Sequence, residues 1–196
     1  MAGGASSRFG TDKALAQLGG RTMLARMCGL LREVTDSVSI VSSASYTGVD
    51  AQRVPDRWPG EGPLGGIVTA LEEARAGEVR IRRCLIVSCD MPFLTAEWLE
   101  YLCAYAATST AQIVVPRSDQ GLEPLCACWS SDAADTLHGL FDGGVRKVTE
   151  VFKHTKTEVL DEAHWKRFDS ADRLFWNMNT PRDYQDAARI FAQERQ

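Results

Sequence analysis

Apolar residues recur at helical spacing over residues 22–34, where Met23, Leu24, Met27, Leu30 and Leu31 share a face and Thr22 stands as the N-cap. The short run Val38-Ser39-Ile40-Val41 predicts a strand directly after that helix. Helical spacing returns at Ile67, Leu71 and Ala74, and Cys84-Leu85-Ile86-Val87-Ser88 reads as a strand of the kind buried in a parallel sheet. Thr95 then caps a helix through Ala107, with Trp98, Leu99 and Leu102 facing inward. Strands follow at 111–115 and 125–129, on either side of a polar turn at 120–124. Residues 131–141 are helical, and Gly143-Gly144-Val145-Arg146-Lys147 opens a further helix. Phe175-Trp176-Asn177-Met178-Asn179 closes a strand ahead of a last helix, whose start is marked by Thr180 as N-cap, Pro181 at the first position and Asp183 in the first turn. Strands alternating with helices predict one α/β domain over residues 1–196, three layers deep, around a mostly parallel sheet.

Composition agrees with a globular chain. Of 196 residues 44% are hydrophobic and 24% charged, which excludes disordered, collagen-like and coiled-coil classes. A net charge of -4 gives no broad basic footprint for nucleic acid, so local cations must do any phosphate binding. Cys28, Cys84, Cys89, Cys103, Cys126 and Cys128 sit mostly in apolar runs without zinc spacing, and read as reduced, buried thiols. No apolar run has the length of a membrane span, and the N-terminal residues lack the pattern of a secretion signal, so the expected location is the cytoplasm.

The candidate chemistry begins at the first residues. Gly3, Gly4 and Gly10 allow the backbone to curl, Ser6 and Ser7 add hydroxyls, and Arg8 and Lys13 bring two cations into one short stretch. Those cations set it apart from an ordinary flexible terminus and give it the make-up of a phosphate cradle. The spacing fits neither the dinucleotide fingerprint nor the P-loop, so a triphosphate here would be held by a different geometry. A Pro- and Gly-rich loop, 57–66, ends at Gly65-Gly66 near a helix start, where main-chain amides favour an anion or a base edge. Asp90 follows an apolar strand, at the carboxyl end where ligands of open α/β sheets bind, placed either to hold a metal or to cap the turn before Pro92. Arg146 and Lys147 repeat the glycine-plus-cation theme or form a solvated face. Asn177 and Asn179 alternate with Met178, so both amides point one way if the stretch is extended. Together these groups fit a nucleoside triphosphate with Mg²⁺, which prefers one or two carboxylates plus phosphate oxygens and water.

Ala2-Gly3-Gly4-Ala5-Ser6-Ser7-Arg8-Phe9-Gly10 with Asp12-Lys13, then Gly62-Pro63-Leu64-Gly65-Gly66, Cys89-Asp90-Met91-Pro92 and Asn177-Met178-Asn179-Thr180-Pro181, resembles the molybdenum cofactor guanylyltransferase family, in order and over nearly the whole chain. The resemblance implies a Rossmann-like nucleotidyltransferase that transfers GMP from GTP to molybdopterin with release of pyrophosphate, and that works beside molybdoenzyme maturation proteins. By motif, Ala2, Gly3, Gly4, Arg8 and Lys13 would hold the triphosphate, with Lys13 also stabilising charge at the α-phosphate. Asp90 would hold Mg²⁺. Asp56 would contact the guanine, framed by Pro63, Leu64 and Gly65, and Arg146, Asn177 and Asn179 would face the pterin.

The chain departs from the family pattern at three places. Ser42 stands where a strand-end Asn often contacts the nucleotide. Glu123-Pro124-Leu125 stands where relatives often have His or Gln before the proline. The family has an apolar strand running into its Ala-Gly-Gly, whereas Met1 alone precedes Ala2, so the expectation is a start upstream of Met1. Two other readings stay open on sequence: a cytidylyltransferase of the same fold, acting on molybdopterin or on a sugar or alcohol phosphate, and a non-catalytic nucleotide-binding accessory protein.

Overall fold

The structure is a computed structural model that describes residues 1–2, 12–77, 81–169 and 171–193. After a short 3-10 turn at Lys13–Leu15 come the small antiparallel pair β1 (Gln17–Leu18) and β2 (Arg21–Thr22), then α1 (Met23–Val34), β3 (Ser39–Ser42), β4 (Gln52–Pro55) and α2 (Pro63–Ala76). The chain continues through β5 (Arg83–Val87), α3 (Ala96–Thr108), β6 (Ile113–Ser118), β7 (Gly121–Leu122), β8 (Cys126–Ser130) and α4 (Ala134–Asp142). It ends in α5 (Val148–Val151), β9 (Thr157–Leu160), α6 (Glu162–Trp165) and α7 (Pro181–Gln193).

The larger sheet has the order β5-β8-β6, with β9 on β6 and β7 as a hairpin partner of β6. β5, β6 and β9 run one way, and β8 runs antiparallel to both neighbours. Alternation along the strands sorts their side chains to two faces. Val87, Val114, Cys126 and Cys128 pack with Trp98, Leu99 and Leu102 of α3 and with Met27 of α1. Ile86, Ile113, Val115, Ala127 and Trp129 pack with α2, α4 and α5 on the opposite face. This is the three-layer α/β arrangement expected from the sequence. All six cysteines are free thiols, and Cys28, Cys89, Cys126 and Cys128 are buried.

β3 and β4 form a separate parallel pair. The Ala2 N–H donates to Val41 O at 3.1 Å, and the Met1 amine donates to Val87 O at 2.6 Å. Residues 1–2 therefore sit between the carboxyl ends of β3 and β5.

Several elements differ from the sequence reading. β4 and β9 lie where no strand was expected, and the expected turn at 120–124 contains β7, which pairs Gly121 with Ser118. α2 begins at Pro63, which takes the first helical position after Gly62 at φ 90, so Gly65 falls in the first turn. The segment 175–180 forms no strand. Trp176 N–H donates to Arg173 O at 2.9 Å in a turn, and Met178 N–H then donates to Asp90 O at 2.9 Å, which ties the segment to the end of β5.

Candidate active site

The carboxyl ends of β3, β4 and β5 bring together Ser42, Asp56, Ser88 and Asp90, with residues 1–2 entering between them. Lys13 reaches this place from its short 3-10 turn. Asp12 caps that turn, its Oδ1 accepting from Ala14 N–H at 2.9 Å, and its Oδ2 accepts from the Tyr46 hydroxyl at 2.7 Å. Burial, and then the bond to Asp12, push the Tyr46 hydroxyl up to about 12, so it remains a donor throughout the physiological range. Asp12 is thus a positioning group, and the residue after it is aimed rather than free.

Lys13 Nζ donates to Asn179 Oδ1 at 2.9 Å and lies 3.5 Å from Asp90 Oδ2. Both members of the ion pair are only 18% exposed, so their fields are shielded from salt and act on whatever enters between them. The other Asp90 oxygen accepts from the Ser88 hydroxyl at 2.5 Å. Asn179 is fixed in turn by the start of α7. Asp183 Oδ2 accepts from Asn179 N–H at 2.9 Å and Thr180 N–H at 2.7 Å, while Thr180 Oγ1 accepts from Asp183 N–H at 3.2 Å. This reciprocal cap satisfies the free amides of the helix start. The slight burial of Asp183 works against its charge, but the bonds from Thr180 and Asn179 outweigh it and hold the carboxyl below its ordinary value.

Gly3, Gly4 and Arg8 lie outside the described residues. Ala2 is buried against β3. Ser42 is buried, and its hydroxyl accepts from Ala44 N–H at 3.0 Å, shaping the turn that carries Tyr46. Asp56 closes an Asx turn, with Oδ1 accepting from Trp58 N–H at 3.0 Å. Pro63 is exposed, whereas the Leu64 side chain is fully buried in the core under α2, so only its main chain can face a ligand. A Cβ on Gly65 would lie 3.0 Å from Trp58 Cβ, so this glycine lets the 57–62 loop lie against the helix start. Arg146 donates through Nε to Glu61 at 2.7 Å, and its guanidinium sits 4.0 Å over the Phe141 ring. Its contacts thus join it to the 57–62 loop, while Asn177 and Asn179 stand beside Asp90.

Sequence reasoning passed over Tyr46 and Ser88, which carry no motif, and it met Glu123 only as a departure. Glu123 is 6% exposed, and its Oε1 accepts from the Ser118 hydroxyl at 2.6 Å. Burial raises its carboxyl above the ordinary range and the charge of Asp90 adds to this, while Ser118 and the Asn177 side chain act the other way.

Among the described residues no group of three or more His, Cys, Asp or Glu side chains could hold a metal ion. A closed protein cage is therefore absent from that part of the site. Asp90, a single carboxylate beside a cation, fits the Mg²⁺ mode in which phosphate oxygens and water supply most ligands.

Residues 1–159 match the family described as MobA-like NTP transferase domain. A molybdenum cofactor guanylyltransferase of Rhizobium leguminosarum bv. trifolii is 34% identical over 192 residues, covering 96% of this chain and 90% of the relative. One from Desulfosudis oleivorans is 29% identical over 190 residues, covering 95% and 91%. Among solved structures, molybdopterin-guanine dinucleotide biosynthesis protein A from Archaeoglobus fulgidus superposes with a TM-score of 0.82 at 25% identity, covering 98% of this chain and 96% of that one.

Proposed function

The chain belongs to the MobA-like NTP transferase family, and from that premise we propose that it is a molybdenum cofactor guanylyltransferase, transferring GMP from GTP to molybdopterin. The observation that carries the reading is the meeting of Lys13, Asp90 and Asn179. They come from segments far apart in sequence, and their charges and amides suit a phosphate-bearing ligand.

In the proposed reaction the terminal phosphate oxygen of molybdopterin attacks the α-phosphorus of GTP. The bond from that phosphorus to the bridging oxygen breaks, and pyrophosphate leaves. A phosphate monoester has its second pKa near about 6 and arrives largely ionised, so no general base is required. Lys13 is assigned to the charge that builds on the α-phosphate, with Asp12 and Tyr46 holding it in place. Gly3, Gly4 and Arg8 are assigned to the rest of the triphosphate, Ser42 and Ala2 to its floor, and Asp56 with the main chain of 63–65 to the base. Asp90 would hold Mg²⁺, which supplies charge neutralisation at the phosphates. Asn177 and Asn179 are assigned to the acceptor, and Arg146 to steadying the 57–62 loop through Glu61. Activity in the cytoplasm belongs to the same reading; for the described residues, no helix is long and apolar enough to cross a membrane.

Incubation with GTP, Mg²⁺ and molybdopterin tests the assignment. We expect equimolar pyrophosphate and guanine dinucleotide, and no comparable product with CTP. Turnover with CTP in preference to GTP would overturn the choice of base, and absence of both products would overturn the assignment.

A further inference from the structure

Glu72 of α2 ties its own helix to α4 and to the loop that links β4 to α2. Its Oε2 accepts from the Arg57 guanidinium, and its Oε1 lies 2.5 Å from His138 Nδ1 of α4. The Glu72 side chain is 18% exposed, so protein groups rather than water satisfy most of its carboxylate. On the far side of the imidazole, His138 Nε2 lies 3.4 Å from Asp142 Oδ2, which sets the ring between two carboxylates.

That ring is a wall for Trp58. The two meet edge to face, with centroids 5.3 Å apart and planes at 80°, and Phe141 packs on the indole at 5.0 Å. Gly65 bounds Trp58 again, since a Cβ there would lie 3.0 Å from Trp58 Cβ. The main chain of the loop is tied as well. Arg57 N–H donates to Thr69 Oγ1 at 3.3 Å, and Trp58 N–H donates to Asp56 Oδ1 at 3.0 Å. The bonds of Glu72 thus reach the Asp56 carboxylate in two ways: along the chain from Arg57, and through His138 to the Trp58 ring and its amide.

We propose that Glu72 is a positioning residue for the base side of the nucleotide site, holding Arg57 and His138 so that Trp58 keeps the Asp56 carboxylate in place. Neither Arg57 nor His138 is assigned to substrate, so Glu72 acts on how tightly the base is held and not on the transfer step. The ligand chemistry concerned is a base that offers N–H donors to a carboxylate acceptor. For turnover, this role rests on the guanylyltransferase reading and on the assignment of Asp56 to the base.

Glu72→Ala removes both bonds at a helical position that alanine suits, so α2 is expected to form. Fluorine NMR of the full chain carrying fluorotryptophan reads the clamp without substrate, with the Trp58 signal identified by its loss in Trp58→Phe. In the wild type that signal should lie apart from free fluorotryptophan, and in Glu72→Ala it should move toward the free value while the remaining tryptophan signals hold. A Trp58 signal that does not move overturns the proposal. In turnover, Glu72→Ala should raise KM for GTP about fivefold while KM for molybdopterin and kcat hold within about twofold. Arg57→Met breaks the same clamp from the loop side and should raise KM for GTP by a similar factor, with no further rise in the double variant. Additive rises, an equal rise in KM for molybdopterin, or an unchanged KM for GTP would make Glu72 merely structural. If the wild type forms no dinucleotide at all, the functional reading fails, and the Trp58 signal still decides whether Glu72 holds the loop.

Discussion

Asp12 and Lys13 are neighbours with separate tasks, one holding the turn and the other reaching the site. Tyr46 ties Asp12 from a different loop, so Tyr46→Phe removes the hydroxyl that steadies the base of Lys13. We expect a fall in kcat of several-fold with Tm within about 2 °C, measured by pyrophosphate release and thermal melting. Leu64 lies beside the loop expected to frame the base, but its side chain is fully buried. Leu64→Ala should therefore act on stability, lowering it by about 2–5 kcal/mol in denaturant unfolding. Motif spacing made Lys13, Asp90 and the two asparagines legible in the sequence, because each is a polar residue at the end of an apolar run or the start of a helix. Tyr46 was not, because its role comes from a contact across 34 residues that no local pattern marks.

At the scale of elements, helix starts were the most readable feature. Thr22, Thr95 and Thr180 were each expected as caps, and their hydroxyls accept from Ala25, Trp98 and Asp183 N–H. Cap chemistry is local, so sequence carries it. β4 and β9 were missed because their residues alternate too little to show a period, and their pairing is supplied by β3 and β6. The reversal of β8 was likewise beyond reach, since strand direction is set by the connection rather than by composition. Asp183 closes the cap of α7 and also holds Asn179 N–H, so Asp183→Ala should cost about 1 kcal/mol and raise KM for the acceptor, seen in melts and kinetics together. Two adjacent glycines in α2 separate by what they touch. Ala at Gly66 would displace the flexible end of Met1 and touch Val41 Cγ1 at an ordinary 3.8 Å, whereas Ala at Gly65 would press on Trp58 Cβ at 3.0 Å. We expect Gly65→Ala to lower Tm and weaken GTP binding, and Gly66→Ala to do neither by calorimetry.

β9 is joined to the end of α3 through Glu158, which accepts from Tyr105 and Ser109 hydroxyls, each at 2.6 Å. Ser109, then Tyr105, hold its carboxyl below the ordinary value of 4.5. A depressed acid contributes stability above its unfolded pKa and loses it as pH falls through the folded one. The Tm gap between wild type and Glu158→Gln should therefore be constant from pH 6 to 8 (about) and close as pH falls below about 4.5. A gap unchanged at low pH would mean that the carboxylate charge is not what secures this strand.

Across the whole molecule, the sheet ends gather what the chain scatters. The strand ends supply Asp56 and Asp90, the first helical turn supplies Lys13, and the entry to α7 supplies Asn179. That placement follows from an α/β layering in which loops at the carboxyl ends of strands share one crevice. The layering was visible in the sequence as alternating apolar runs. The sheet order was not, since β5-β8-β6 does not follow the chain.

The central claim is that the Lys13–Asp90–Asn179 cluster carries GMP transfer, and single-turnover dinucleotide formation tests it most directly. With GTP, Mg²⁺ and molybdopterin in saturating amounts, wild type should form product in one phase. Lys13→Ala and Asp90→Ala should each be slower by at least about 10²-fold, with unchanged Tm. Product formation within a few-fold of wild type in either variant would contradict it.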